Sequence, residues 1–294
     1  MLMKNSIFKL LRFSGLPFFF REFIQKKKVS ILLFHNIRKG DAEKAFAYLR
    51  RKYNIISLQQ FIDAVHNNIK LPPKALIITF DDGHISNYAL LPVIQKYQIP
   101  VTIFLCASIV NTKRHFWFLH KPIVPIVEDI KKISNKLRLK KLEEHGFIQE
   151  EEHINQEALD KKQVDEMKEW IDFQSHTKFH PVLPQCTNAE AADEIIGSKQ
   201  ILENDFQLSI NTLSYPNGDY SERDILLAKT AGYICGITVD YGYNTIKTDL
   251  FRLKRLSVND TGDINELVVK ASGLWAFLKT RNGEKQSYGF SNRL

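Results

Sequence analysis

Two short stretches of this 294-residue chain place reactive side chains at useful spacings. Thr79-Phe80-Asp81-Asp82-Gly83 ends the apolar run Leu76–Phe80, and Ser175-His176-Thr177-Lys178-Phe179-His180-Pro181 ends the run Asp172–His176. Adjacent carboxylates point to opposite faces of a regular strand. Gly83 permits a sharp turn that brings both to one rim, where one can bind a cation while the other accepts a proton. Histidines at i and i+4 present two imidazoles to one point if the chain turns helically between them, and Pro181 stops a longer helix. Neutral imidazole is the commonest nitrogen ligand for a borderline cation such as zinc. Alone, Asp-Asp-Gly is as readily a helix cap followed by a turn, and a lone HxxxH is more often surface than ligand. Together at two strand ends they describe a three-ligand metal site with open positions. A divalent ion there lowers the pKa of its water toward about 7 and polarises a carbonyl, and a neighbouring carboxylate can take the proton.

Such a site needs a frame that aligns strand ends. Short apolar runs occupy Ile31–Phe34, Leu76–Phe80, Val101–Leu105, Asp172–His176, Thr212–Tyr215, Tyr233–Val239 and Phe251–Val258. Most are too apolar to have a wet face, as expected of strands buried on both sides in a parallel sheet. Helical patterns lie between them. Ser57 opens one with Leu58, Phe61, Ile62 and Val65 as its stripe; others span Asn87–Tyr97, with a kink expected at Pro92, Lys161–Trp170, Asn188–Asn204 capped by Asn188, and Ser221–Ala231 closed by Gly232. Seven strand–helix alternations argue for an α/β fold in the form of a closed or nearly closed barrel, with reactive groups at the carboxyl ends of its strands. The Lys- and Glu-rich stretch Val110–Asp160 breaks the rhythm and reads as helices inserted at the rim. Its Phe116-Trp117-Phe118 either anchors that insertion or stacks on a sugar ring. The expected organisation is an amphipathic arm over 1–28, a single barrel domain over 29–260 with its helical insertion at about 110–160, a C-terminal helix over 261–279 (Asp263–Leu278), and a disordered tail over 280–294.

Composition is that of an ordinary globular protein, with 44% hydrophobic and 25% charged residues. Cys106, Cys186 and Cys235 are an odd number at wide spacing and read as thiols of a reducing compartment. Of the net charge of +8, the arm carries +6, from seven Lys and Arg against Glu22. Charge confined to one arm argues against a nucleic-acid-binding face. The apolar stretch Phe13–Phe20 is cut by Ser14, Gly15 and Pro17, too short for a signal peptide or a membrane span. The expectation from these features is a cytoplasmic protein, with residues 1–28 available for peripheral contact with the inner membrane face. Ile7, Leu10, Leu11 and Phe13 line one side of the arm and Lys4, Lys9 and Arg12 another. The arm either lies in an anionic lipid interface or packs on the domain with its lysines solvated.

The pair TFDDG and SHTKFHP resembles the motifs of the polysaccharide deacetylase family, metal-dependent enzymes whose relatives act on N-acetyl groups of chitooligosaccharide, peptidoglycan and exopolysaccharide. The likeness runs from about Ile31 to Val258. It implies a distorted (β/α)7 barrel, Asp81 as general base, and Asp82, His176 and His180 as ligands of a divalent metal. Zinc is the first choice, with cobalt, nickel or manganese as alternatives. Where many relatives carry an Arg, two residues before the Pro of Leu213-Ser214-Tyr215-Pro216-Asn217-Gly218, this chain has Ser214. The Tyr-Pro-x-Gly turn and Phe34-His35 resemble a branch found in exopolysaccharide and surface-glycan modification, in which the general-acid histidine comes from the start of the chain. His35 is therefore the candidate acid for the leaving amine, against a structural histidine at a strand end. Arg255 is the candidate to keep Asp81 ionised in place of the missing Arg, against a plain surface salt bridge, with Asp240 a weaker member of the same network. The Asn217 N–H stands in the family's oxyanion position. His84 follows Gly83 as a pocket or turn residue, and Asp172-Phe173-Gln174 stands where relatives tend to have Glu-Ile-Gly. The implied function is removal of an N-acyl group, chiefly acetyl, from an amino sugar of a surface polysaccharide or its precursor. A deformylase of a lipid-linked amino sugar and a non-catalytic glycan-binding relative are the alternatives.

Overall fold

A computed structural model describes residues 2–281, with side chains from Ser6 onward. Eight parallel strands are present: β1 (Val29–Phe34), β2 (Asn54–Ile55), β3 (Ala75–Phe80), β4 (Val101–Leu105), β5 (Ile171–Ser175), β6 (Thr212–Ser214), β7 (Cys235–Tyr241) and β8 (Leu253–Ser257). Seven of them close into a barrel in the order β1-β3-β4-β5-β6-β7-β8 and back to β1. The two-residue β2 is an addition beside the start of β3. The barrel expected from the alternation is thus what forms, and β2 is too short to leave a periodic signal.

Alternation along each strand sorts residues into two environments. Leu32, Phe34, Leu76, Ile78, Phe80, Ile103 and Leu105 join the large cluster formed with the surrounding helices. Val29, Ile31, Ala75, Ile77, Phe104, Ile237 and Leu253 form a separate cluster inside the barrel. Helix Leu58–His66 contributes Leu58, Phe61 and Ile62 to that inner cluster and so forms a floor at the amino ends of the strands. A capping box between Ser57 and Gln60 fixes where this helix begins. Toward the carboxyl ends the interior turns polar: Thr79, Ser214 and Arg255 are all buried.

Several local expectations change. Pro92 lies in the first turn of helix Leu91–Tyr97 rather than kinking a longer one; a 3-10 turn, Ile85–Leu90, precedes it. Proline is tolerated where no intrahelical N–H bond is needed. Helix Asn188–Phe206 is capped by Thr187, whose side chain accepts from Glu190 N, so Asn188 is its first residue. The terminal segment is two helices, Ile264–Ala271 and Leu274–Arg281, parted at Gly273. Its φ is +76°, and a Cβ there would fall 2.0 Å from Tyr243 Oη. Phe116, Trp117 and Phe118 are fully buried and anchor the segment before helix Asn135–Glu144, so they offer no face to a sugar. The tail expected over 280–294 lies, beyond Arg281, outside the described residues.

Asp172 is an acid in the barrel wall. Burial raises its pKa; hydrogen bonds from Gln174 Nε2 (2.7 Å) and Thr102 Oγ1 (3.1 Å) offset this only in part. A carboxyl whose folded pKa is raised favours its protonated form, so its contribution to stability is lost as pH rises above the unfolded value near 4. Asp172→Asn removes the charge while its Oδ1 accepts from Gln174 Nε2 and its Nδ2 donates to Thr102 Oγ1. It should raise the melting temperature at pH 7 by roughly 1–3 °C and leave it unchanged near pH 3.5, as read by thermal unfolding at both values.

Candidate active site

The site gathers at the carboxyl ends of β3, β5, β6 and β8. Asp81 follows Phe80 at the end of β3 and is 3% exposed. Arg255 on β8 reaches it through a fully buried fork: Nη1 donates to Oδ1 at 2.7 Å and Nη2 to Oδ2 at 2.8 Å. Arg255 Nη2 also donates to Ser214 Oγ (3.1 Å) and Nε to the Thr238 carbonyl (2.8 Å), while Ser214 Oγ lies 3.3 Å from Asp81 Oδ2. Burial on its own would raise the Asp81 pKa; the Arg255 charge, with hydrogen bonds from Arg255 and Ser214, outweighs it and holds the carboxyl below its usual range. β7 bulges beside this arrangement, between the pairs Ile237–Leu253 and Tyr241–Arg255. Such irregularities re-aim side chains next to functional sites. Asp240 is exposed and takes no part in the network.

Asp82, His176 and His180 are buried together, with candidate donor atoms all within 4.8 Å of one another. Asp82 Oδ1 stands 3.6 Å from His176 Nε2 and 3.7 Å from His180 Nε2. Two ligands each about 2.1 Å from a shared tetrahedral ion lie roughly 3.4 Å apart, so the spacing suits a common ion. His176 Nδ1 donates to the Ser214 carbonyl at 2.8 Å, which fixes the tautomer with the Nε2 lone pair facing Asp82. Burial, with His176 beside it, keeps the His180 pKa well below the usual imidazole value, so this ring is neutral and available as a ligand. One carboxylate and two imidazoles are a donor set for zinc or a similar divalent ion, and they fit that group.

The loops carrying these groups are conformationally unusual. Asp82, Thr177, His180 and Asn217 have φ of +75°, +64°, +56° and +58°, four of the nine non-glycine residues with positive φ among the described residues. Each costs on the order of 1–2 kcal/mol and persists only where its surroundings over-determine it. Here the supports are visible. The buried Glu194 carboxylate accepts from Lys178 N (2.8 Å) and Phe179 N (2.9 Å), and Trp117 Nε1 donates to the His180 carbonyl (2.9 Å). Phe118 packs on the His180 ring at 4.5 Å. Sequence reading did not find Glu194 or the bracing role of Trp117, because each acts across more than a dozen residues with no local motif.

His35 follows Phe34 as Asp81 follows Phe80, and these strands pair in register, with Asp81 N donating to the Phe34 carbonyl at 3.1 Å. His35 is buried beside Asp81 at the rim. Its loop is tied by the Asp260 carboxylate, which accepts from His35 N (3.2 Å) and Asn36 N (3.1 Å), and by Asn87 Nδ2 donating to the His35 carbonyl (2.8 Å). Asn217 lies in the turn Pro216–Gly218, three residues past Ser214. A Cβ on Gly218 would fall 2.7 Å from Val239 N, so only glycine lets this turn sit against β7. His84 caps the 3-10 turn Ile85–Leu90 by accepting from Ser86 N.

The sequence model described as polysaccharide deacetylase matches residues 68–236. The Bacillus subtilis protein YxkH, a relative bearing the same family name, is 25% identical over 242 residues, covering 79% of this chain and 72% of the relative. The Escherichia coli poly-β-1,6-N-acetyl-D-glucosamine N-deacetylase is 35% identical over 81 residues, 27% of this chain and 12% of that protein. Among solved structures, IcaB from Ammonifex degensii superposes with a TM-score of 0.62 at 18% identity, over 84% of this chain and 98% of that one. The Streptococcus pyogenes deacetylase PplD gives 0.61 at 19% identity, over 85% and 98%. At these identities the structural matches speak to the fold.

Elemental analysis of purified protein should find about one divalent ion per chain, lost in His176→Ala; retention in the variant would remove this residue from the site. Arg255→Leu should destabilise the fold by about 3–5 kcal/mol in urea unfolding, because it strands the buried Asp81 charge.

Proposed function

Because the chain belongs to the polysaccharide deacetylase family, whose members are hydrolases of amide carbon–nitrogen bonds, we propose that it removes an N-acetyl group from an amino sugar of a surface polysaccharide or its precursor. The observation that carries this reading is a three-donor cluster, Asp82, His176 and His180, directly beside a buried carboxylate held ionised by Arg255. The E. coli relative's name supports N-acetylglucosamine in the substrate.

In this reading Asp82, His176 and His180 hold a divalent ion, zinc first, which supplies Lewis acidity toward water and the amide carbonyl. Asp81 accepts the proton of the attacking water. Arg255 and Ser214 fix the direction of that carboxylate and keep it ionised down to acid pH. The Asn217 N–H donates to the oxygen on which negative charge develops as water adds to the carbonyl carbon. His35 protonates the nitrogen as the carbon–nitrogen bond breaks, releasing a free amine and a carboxylate. Its backbone ties to Asp260 and Asn87 position it for this transfer.

Asp81→Asn should lower turnover of N-acetylated glucosamine oligomers at least a hundredfold while metal content stays at the wild-type level. Released acid, identified as acetate by enzymatic assay or NMR, checks the acyl group. Formate from a lipid-linked amino sugar would instead establish a deformylase, and glycan binding without any acid release from the metal-loaded protein would establish a binding relative.

A further inference from the structure

The N-terminal arm has two apolar faces, and packing explains only one of them. Helix Leu2–Phe13 turns Phe8 inward, where it meets Trp275 (4.8 Å between ring centres) and clusters with Phe20, Val269 and Leu274; Arg12 Nη1 donates to Asn265 Oδ1 at 3.0 Å. These contacts seat the arm on helices Ile264–Ala271 and Leu274–Arg281. Ile7, Leu10 and Phe13 recur at i, i+3 and i+6 on the outward side, where a merely structural helix would carry polar residues. Leu10 is 74% exposed, Phe13 71% and Phe23 66%. Eight of the fifteen large exposed apolar side chains among the described residues lie between Ile7 and Ile24. Phe19 packs on Phe23 at 5.2 Å and Phe20 on the exposed Phe277 at 5.3 Å, so the patch continues onto the terminal helix.

The charges around this patch are of one sign. Lys9, Lys26 and Lys27 are exposed, and among the described residues none has a carboxylate partner. Arg21 donates to Tyr48 Oη (3.3 Å), which joins the arm to helix Lys39–Lys52 and to its exposed last residues Arg50, Arg51 and Lys52. The acid within the arm, Glu22, is paired with Arg21 at 2.8 Å and Lys74 at 3.1 Å. No helix among the described residues is long and apolar enough to cross a membrane. A phenylalanine-rich strip rimmed by unpaired lysines and arginines complements an anionic lipid surface: the rings enter the acyl boundary and the cations face the headgroups.

We propose that this flank, centred on Leu10, Phe13 and Phe23, docks the protein peripherally on a membrane bearing anionic lipid. The proposal is independent of the reading of the active site. Helix Ile264–Ala271 begins four residues after Asp260, the residue that ties the His35 loop, so the docked flank and the barrel mouth belong to one continuous piece of structure.

The test is co-sedimentation of the metal-loaded full chain with vesicles of phosphatidylcholine alone and with about one third phosphatidylglycerol. Binding should require the anionic lipid and weaken with salt. L10S/F13S/F23S should lower the partition coefficient at least tenfold with an unchanged circular dichroism spectrum and metal content, and K26E/K27E should lower it on anionic vesicles. Wild-type protein that stays in the supernatant with anionic vesicles would overturn the proposal. So would a dimer in solution that the triple variant converts to monomer without any vesicle binding by the wild type, which would assign the face to a second copy.

Discussion

The Asp81–Arg255 pair is the interaction on which the upper barrel depends. Both side chains are out of water, and removing two charges from solvent costs several kcal/mol per ion unless bonding is complete. Completeness is achieved with donors and acceptors from four strands: Asp81 at the end of β3, Ser214 on β6, the Thr238 carbonyl on β7 and the guanidinium itself on β8. Closure of the barrel, the bulge in β7 and the small side chain at Ser214 all serve this geometry. An arginine at position 214 would meet the Arg255 fork already in place, and two guanidinium groups would face one carboxylate. A hydroxyl accepts from the one and bonds the other. With serine at 214, the guanidinium that meets Asp81 comes from Arg255 on β8.

Below that pair lie an apolar cluster and the hydrogen-bonded Asp172 in the wall, and above it the loops are held in costly conformations. The two facts are connected. Four positive-φ residues at the rim would relax if the frame beneath them were soft. They are instead pinned by strand ends, by the Glu194 carboxylate under Lys178 and Phe179, and by the Trp117 indole on the His180 carbonyl. The buried aromatic triplet therefore serves the site from behind, as a brace for one imidazole.

What the sequence revealed divides along a physical line. Strand ends and their motifs are local in the chain, so the alternation of apolar runs and the positions of Asp81, Asp82, His176 and His180 were legible. Helix starts were legible where the cap was a near neighbour, as at Ser57, and misplaced by one residue at Thr187, where two capping residue types stand side by side. β2 left no trace, because two residues carry no period. The break at Gly273 was hidden because the need for glycine comes from Tyr243, thirty residues earlier. Glu194 and Asp260 hold the rim loops of the candidate site through backbone N–H groups, and any accepting side chain of the right reach could do so. Nothing in their local sequence marks them. The arm's apolar character was visible, but the division into an inward face with Phe8 and an outward face with Leu10 and Phe13 required helices that lie 250 residues away.

The floor formed by Leu58, Phe61 and Ile62 has a consequence for traffic through the molecule. With the amino end stoppered by hydrocarbon and the interior filled by side chains, the candidate site is reached from the carboxyl-end rim. Approach to the candidate site and departure from it therefore both use that one face.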